Sequence, residues 1–184
     1  DSTRRNWAVA AHVNHNGETI EIGTGLTAGV EESARARRVI KIDGKYGKSQ
    51  SELGKYMSAL WLTPQMDHLF LEGAVSRRRF VDRLIFGIDP AHAGLVSAYE
   101  KSMRSRNKLL KEGAHDQKWL ASLEDSISRY GIAVAAQRKE AIMQLSQIAL
   151  GEAGPFPGAQ IAMAGPVETW LERFPALDVE DKLR

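Results

Sequence analysis

The spacing of apolar residues changes character part-way along the chain. Glu18-Thr-Ile-Glu-Ile-Gly-Thr24 alternates polar and apolar residues, which predicts a half-buried strand. Trp7–Val13 before it predicts a second strand, and Asn14-His-Asn-Gly17 between them predicts a hairpin turn. Arg38–Asp43 predicts a third strand, ending at the tight-turn dipeptide Asp43-Gly44. Gly25–Arg37, rich in Gly, Ala and charges, reads as a loop. Ser49–Met57 predicts a short helix, with Ser49 as cap and Glu52 three residues later. Ala59–Leu62 reads as a short buried strand stopped by Thr63-Pro64.

Beyond Pro64 the period becomes helical. Pro64 suits the first turn of a helix to about Glu72, and a further helix runs from about Val75 to Phe86, ending at Gly87. Asp89-Pro90 predicts the start of a long helix to about Lys111, with Val96, Tyr99, Met103, Arg106 and Leu110 on one face. A second long helix starts near Asp116, with Leu120, Leu123, Ile127, Tyr130 and Val134 repeating that spacing and Ile142, Leu145 and Ile148 continuing it. The short connection between them predicts an antiparallel helical hairpin. Gly151–Gly158, with two prolines, should break the second helix. Ala159–Ala164 reads as one more strand and Val167–Phe174 as a last short helix. The expected fold is α+β: a small antiparallel β-sheet followed by a helical lobe with a long antiparallel αα-hairpin. Residues 1–63 form the β-rich part, 64–150 the helical lobe, and 151–184 a return segment. The return strand lacks an obvious pairing edge, so exchange into another copy is one outcome.

The 184 residues suffice for a real core without staples. The absence of cysteine excludes a disulfide framework and a thiol nucleophile. No apolar run approaches the roughly 20 residues of a membrane span, so the expectation is a soluble, cytoplasmic protein with no membrane partner. A first residue other than Met fits a processed or excised piece.

The formal net charge is only +2, but it is unevenly spread. Residues 76–112 carry nine basic and four acidic side chains, leaving a net negative remainder. That asymmetry is consistent with a phosphate-facing surface. On charge alone, the commoner explanation is a solvated helix face laced with pairs such as Arg79–Asp82. The arginines' apolar neighbours Phe80, Leu84 and Ile85 read as core. Trp61, in its predicted strand, and Trp119, at a helix start, also read as core, which leaves no stacking platform.

Most catalytic motifs are missing. His12 and His15, three apart on a strand, face opposite sides and cannot share a metal without an intervening turn. His68, His92 and His115 have no ligand spacing. Gly47-Lys48-Ser49 lies between a strand and a helix, as a phosphate loop does. Its required glycine five residues upstream is Ile42, so a capped helix after a hairpin is the better reading.

One combination is specific. Trp61-Leu-Thr-Pro-Gln-Met-Asp-His-Leu-Phe70, Glu72-Gly73, Ser76-Arg-Arg-Arg-Phe-Val-Asp82, Tyr99-Glu100 and Arg104-x-Arg106-Asn107-x-Leu109-Leu110 follow one another in this order. Together they resemble the middle of the RecF family of DNA replication and repair ATPases, related to the SMC-type ATPases. The resemblance runs from about Asn6 to about Leu183.

It implies part of an ATPase lobe joined to a helical second lobe. Thr63-Pro64-Gln65 resembles the Q-loop between such lobes, which makes Gln65 the candidate nucleotide-sensing residue. Many family members carry Glu there. The resemblance also implies a parent that is a homodimer using ATP and magnesium. That parent binds DNA at single-strand gaps and helps to load recombinase with recombination mediator proteins. Arg77, Arg78, Arg79, Arg83, Arg104, Arg106 and Lys108 are then candidates for DNA phosphates or for the dimer surface, although Arg79 or Arg83 could instead be tied internally by Asp82 or Glu100. The family's phosphate loop, its Ser-x-Gly-Gln-type signature and its Asp-Asp strand are absent from this sequence. The expectation is an internal piece of the parent, without cofactor and inactive as an ATPase alone. The alternatives are a purely structural interaction module and an enzyme using the Gly47-Lys48-Ser49 loop.

Overall fold

In a computed structural model the chain folds as two compact units, Asp1–Leu60 and Trp61–Arg184. The structure describes residues 7–27, 37–47, 50–61, 63–113, 116–151 and 154–183.

The first unit is a four-stranded antiparallel sheet in the order β1-β2-β3-β4. Its strands are β1 (Ala8–His15), β2 (Glu18–Thr27), β3 (Arg37–Ile42) and β4 (Lys45–Tyr46). Two-residue turns set the register. Asn16 and Gly17 at one hairpin, and Asp43 and Gly44 at the other, all have positive φ. That is the backbone of a turn whose twist matches the flanking strands, and Asn-Gly and Asp-Gly tolerate it best. His15 therefore pairs with Glu18, and Ile42 with Lys45. Alternation then buries Ile20, Ile22 and Ile40. Gly25 extends β2 past its predicted end: a Cβ there would lie 2.7 Å from the Trp7 carbonyl oxygen. The expected helix after the sheet is a 3-10 turn, Gln50–Lys55.

Of the expected strand Ala59–Leu62, residues 59–61 are not in a strand. Residues 59–61 are irregular, with Leu60 73% and Trp61 51% exposed, and Leu62 lies outside the described residues. The run is apolar enough for a strand but pairs with no sheet edge, and an unpaired strand has no ladder to hold it.

The second unit is helical. A 3-10 turn (Pro64–Phe70) precedes α1 (Ala74–Ile88), α2 (His92–Lys111), α3 (Gln117–Ala149), α4 (Pro166–Arg173) and α5 (Ala176–Leu183). Helix α1 runs through Gly87 and stops before Asp89-Pro90, because proline disfavours helical backbone at the residue preceding it. The Asp89 carboxylate accepts from the Ala91 amide at 2.9 Å and shapes the corner into α2. Gly113, with φ +66°, ends α2. Asp116 then caps α3 by accepting from the Trp119 amide at 2.9 Å.

Helices α2 and α3 form the expected antiparallel hairpin. Tyr99 lies against Gly131, where a Cβ would come within 3.2 Å of its ring, and Arg106 reaches Glu124. The inward residue near the end of α2 is Leu109, 4% exposed, and not Leu110, which is 47% exposed. Helix α3 also packs against α1, α4 and α5. Val81 and Ile85 of α1 meet Ala141 and Ile142 of α3 in one apolar cluster. Trp119 at the start of α3 is 54% exposed, contrary to its expected apolar setting; its backbone amide, not its ring, is what the cap engages.

Ala159–Ala164 is extended but is not a strand. Its alternation places Ile161 and Met163 against the α1–α3 cluster. Its backbone is held by α3: the Ala159 amide donates to the Ala149 carbonyl, and the Ile161 amide to Ser146 Oγ at 3.0 Å. The same pattern that suits a sheet edge also suits a helix surface, and here the helix supplies the contacts.

Candidate nucleic-acid interface

The basic candidates divide between α1 and α2, and their surroundings differ. On α2 each one faces a carboxylate. Arg104 meets Glu100 at 3.2 Å, one helical turn away, and both side chains are exposed. Lys108 lies 3.8 Å from Glu112. Arg106 crosses the hairpin to Glu124, at 2.8 Å from Nη2 and 2.9 Å from Nε. Arg106 is thus half-buried and structural, and Glu100 serves Arg104 in place of Arg79 or Arg83.

On α1 the acid expected to neutralise the arginines turns away from them. At 100° per residue, Arg79 and Arg83 fall on the face opposite Val81 and Ile85, while Asp82 lies at the flank between the two faces and Arg78 on the side of Ile85. Both oxygens of Asp82 are taken up by Arg138 of α3, Nε to Oδ1 and Nη2 to Oδ2, each at 2.7 Å. Arg78 and Arg79 stand exposed, and among the described residues no ion pair neutralises them. Arg77 is held by donating to the Glu72 carbonyl. The Arg83 guanidinium lies 4.8 Å from the Trp61 ring centroid, a cation–π contact that keeps the charge while fixing the side chain.

The buried partner of this face is His92, which the sequence left without a role. It is fully buried at the first position of α2. Its Nε2 lies 2.9 Å from Asp82 Oδ1, and its Nδ1 is hydrogen-bonded to Gln137 Oε1. Gln137 Nε2 donates in turn to Asp89 Oδ2 at 3.1 Å. Burial pushes the His92 pKa down, but the hydrogen bonds to Asp82 and Gln137 outweigh it, and the net direction is up. Burial likewise pushes Asp82 up, and the bonds from His92 and Arg138 reverse this, holding the carboxyl below its ordinary range. No single-residue signal marks this group in the sequence, because its members lie up to 56 residues apart.

The Thr63-Pro64-Gln65 turn is present as the start of a 3-10 turn after extended Thr63. The Thr63 amide donates to Met66 Sδ at 3.4 Å. Gln65 lies in that turn, with its side chain outside the described residues. Lys48, Ser49 and His115 also lie outside them. His12 and His15 pair across the sheet with Glu21 and Glu18. Among the described residues no group of three or more His, Asp or Glu side chains could hold a metal ion. Among the same residues no helix is long and apolar enough to cross a membrane.

No protein-family model matches the chain. The DNA replication and repair protein RecF of Mesorhizobium japonicum is 38% identical over 180 residues, covering 97% of this chain and 47% of that protein. RecF of Rhizobium rhizogenes is 41% identical over 177 residues, covering 95% and 46%. Over nearly its whole length the chain is similar to RecF. RecF of Brucella abortus, 42% identical over 166 residues, covers 89% of the chain. The chain spans a little under half the length of these RecF relatives. The solved structure of the recombination mediator protein RecF-ATP in the RecFOR pathway matches 99% of this chain and 52% of its own, with a TM-score of 0.70 at 20% identity. A second, of RecF-ATPrS, matches 80% and 39%, with a TM-score of 0.67 at 21% identity. These likenesses show a RecF-like α+β fold.

Proposed function

We propose that the chain is part of a RecF-like DNA repair and recombination protein, and that the exposed arginines of α1 contact DNA phosphates. The observation that carries this reading is the inward commitment of Asp82 to Arg138, which leaves Arg78 and Arg79 exposed without an ion-pair partner among the described residues. Arginine presents a planar, permanently charged fork that suits phosphate oxygens. The α2 cations contribute less, since each already has a carboxylate.

ATP and magnesium belong, on this reading, to the full-length parent and its dimer. Gln65 is the residue proposed to sense the nucleotide, because an amide offers both a donor and an acceptor. Homology to RecF supports that role. Recombinase loading with mediator partners at single-strand gaps is the parent activity in which the helical unit would take part.

The test is duplex and gapped-DNA binding as salt is varied. Arg78→Glu with Arg79→Glu should weaken binding and flatten its salt dependence. Arg104→Glu should do much less. Affinity unchanged in the α1 double variant refutes the DNA-facing role. It would favour the alternative of a structural interaction module, which the exposed Phe70 and Leu71 beside α1 also suit.

A further inference from the structure

We infer that His92 is doubly protonated in the folded protein, and that the Asp89 carboxylate, one hydrogen bond removed from the ring, enforces that state through the Gln137 amide. The result is a pH-sensitive joint at the corner between α1 and α2.

The argument follows donors and acceptors. His92 Nε2 faces a carboxylate oxygen of Asp82, which can only accept. His92 Nδ1 faces Gln137, whose amide has one accepting and one donating end. Asp89 decides which end that is. Its Oδ2 is also acceptor-only, so Gln137 must present its NH2 to Asp89 and therefore its oxygen to His92. Both ring nitrogens then face acceptors, and both must carry a proton. A neutral ring would leave one lone pair aimed at an oxygen in a fully buried site, an uncompensated repulsion.

Charge balance agrees. The charged groups facing this ring are Asp82 from α1 and Arg138 from α3, with Asp89 joined through Gln137. Two carboxylates and one guanidinium leave one negative charge over, and an imidazolium cancels it. His92 thus ties α1 to α3 through Asp82 and Gln137 while it opens α2. Loss of its second proton breaks the Gln137 arm.

The joint can be tested on the whole chain by 15N NMR of the imidazole nitrogens, with the His92 signals assigned by their loss in His92→Asn. Two protonated nitrogens are expected at neutral pH, where an ordinary histidine has largely lost one. In Asp89→Asn, an amide nitrogen can replace Oδ2 and donate to Gln137, which frees that side chain to turn its own NH2 toward His92. The His92 titration should then move to lower pH and leave Nδ1 unprotonated at neutral pH. A singly protonated ring in the unmodified chain, or a titration that Asp89→Asn does not move, overturns the inference. The unmodified chain decides alone if the variant does not fold.

Discussion

Arg138, in the middle of α3, closes on Asp82 of α1 with two parallel hydrogen bonds of 2.7 Å, across 56 residues of sequence. Both side chains are about one-sixth exposed, so water screens the pair little. Arg138→Met should destabilise the chain by about 2 kcal/mol, because Asp82 Oδ2 loses its donor in a protein-lined site and His92 alone remains on the carboxylate. Chemical denaturation measures this. A loss below about 0.5 kcal/mol, the range of surface substitutions, would show that the clamp does not hold α1 to α3.

Stability should form a plateau in pH with identifiable edges. His92 has a raised pKa in the fold, so its contribution is complete below the ordinary value of 6.5 and fades as pH rises through the folded value. Asp82 has a lowered pKa, so its contribution is complete above 3.8 and is lost as pH falls through the folded value. Unfolding midpoints taken across pH should show both edges. His92→Asn should lower the plateau and flatten its alkaline edge, whereas an alkaline edge that survives the substitution assigns it to another group.

Two helical glycines should respond in opposite directions. Gly94 in α2 has open space where a Cβ would stand, so Gly94→Ala should stabilise by about 0.5–1 kcal/mol through helix propensity. A Cβ on Gly131 in α3 would come within 3.2 Å of the Tyr99 ring, so Gly131→Leu should destabilise by about 2 kcal/mol through overpacking. Thermal melts of the two variants check both signs.

The start of α3 rests on its cap. Asp116→Ala removes the acceptor for the Trp119 amide and should cost about 1 kcal/mol. Asp116→Asn keeps an acceptor and should recover most of the loss. Equal losses in the two variants would indicate that the cap is not what Asp116 contributes.

The elements legible in the sequence were those whose signal is local. Asn16-Gly17 and Asp43-Gly44 specify their hairpins through φ, and the stripe on α3 specifies a helix through its period. The errors fell where an apolar run is compatible with more than one neighbour. Ala59–Leu62 and Ala159–Ala164 both read as strands, and neither residues 59–61 nor residues 159–164 form one. The α5 helix went unread because Val179 is its one buried residue, and a single inward position sets no period. The basic surface was visible as composition, but not its division into paired and unpaired halves. That division depends on the way Asp82 turns, which local pairing rules assigned to Arg79 and the fold assigns to Arg138.

The sequence by itself determined the change from alternating to helical period, the turn positions, the uneven charge and the RecF resemblance. These are properties of neighbours in the chain. Only the tertiary structure decided that His92 is buried, that its two nitrogens face Asp82 and Gln137, and that Asp82 is withdrawn from the α1 arginines. Those outcomes depend on which distant acceptor reaches a given donor once water is excluded. Residue spacing carries no record of that competition, whereas the packed helices resolve it.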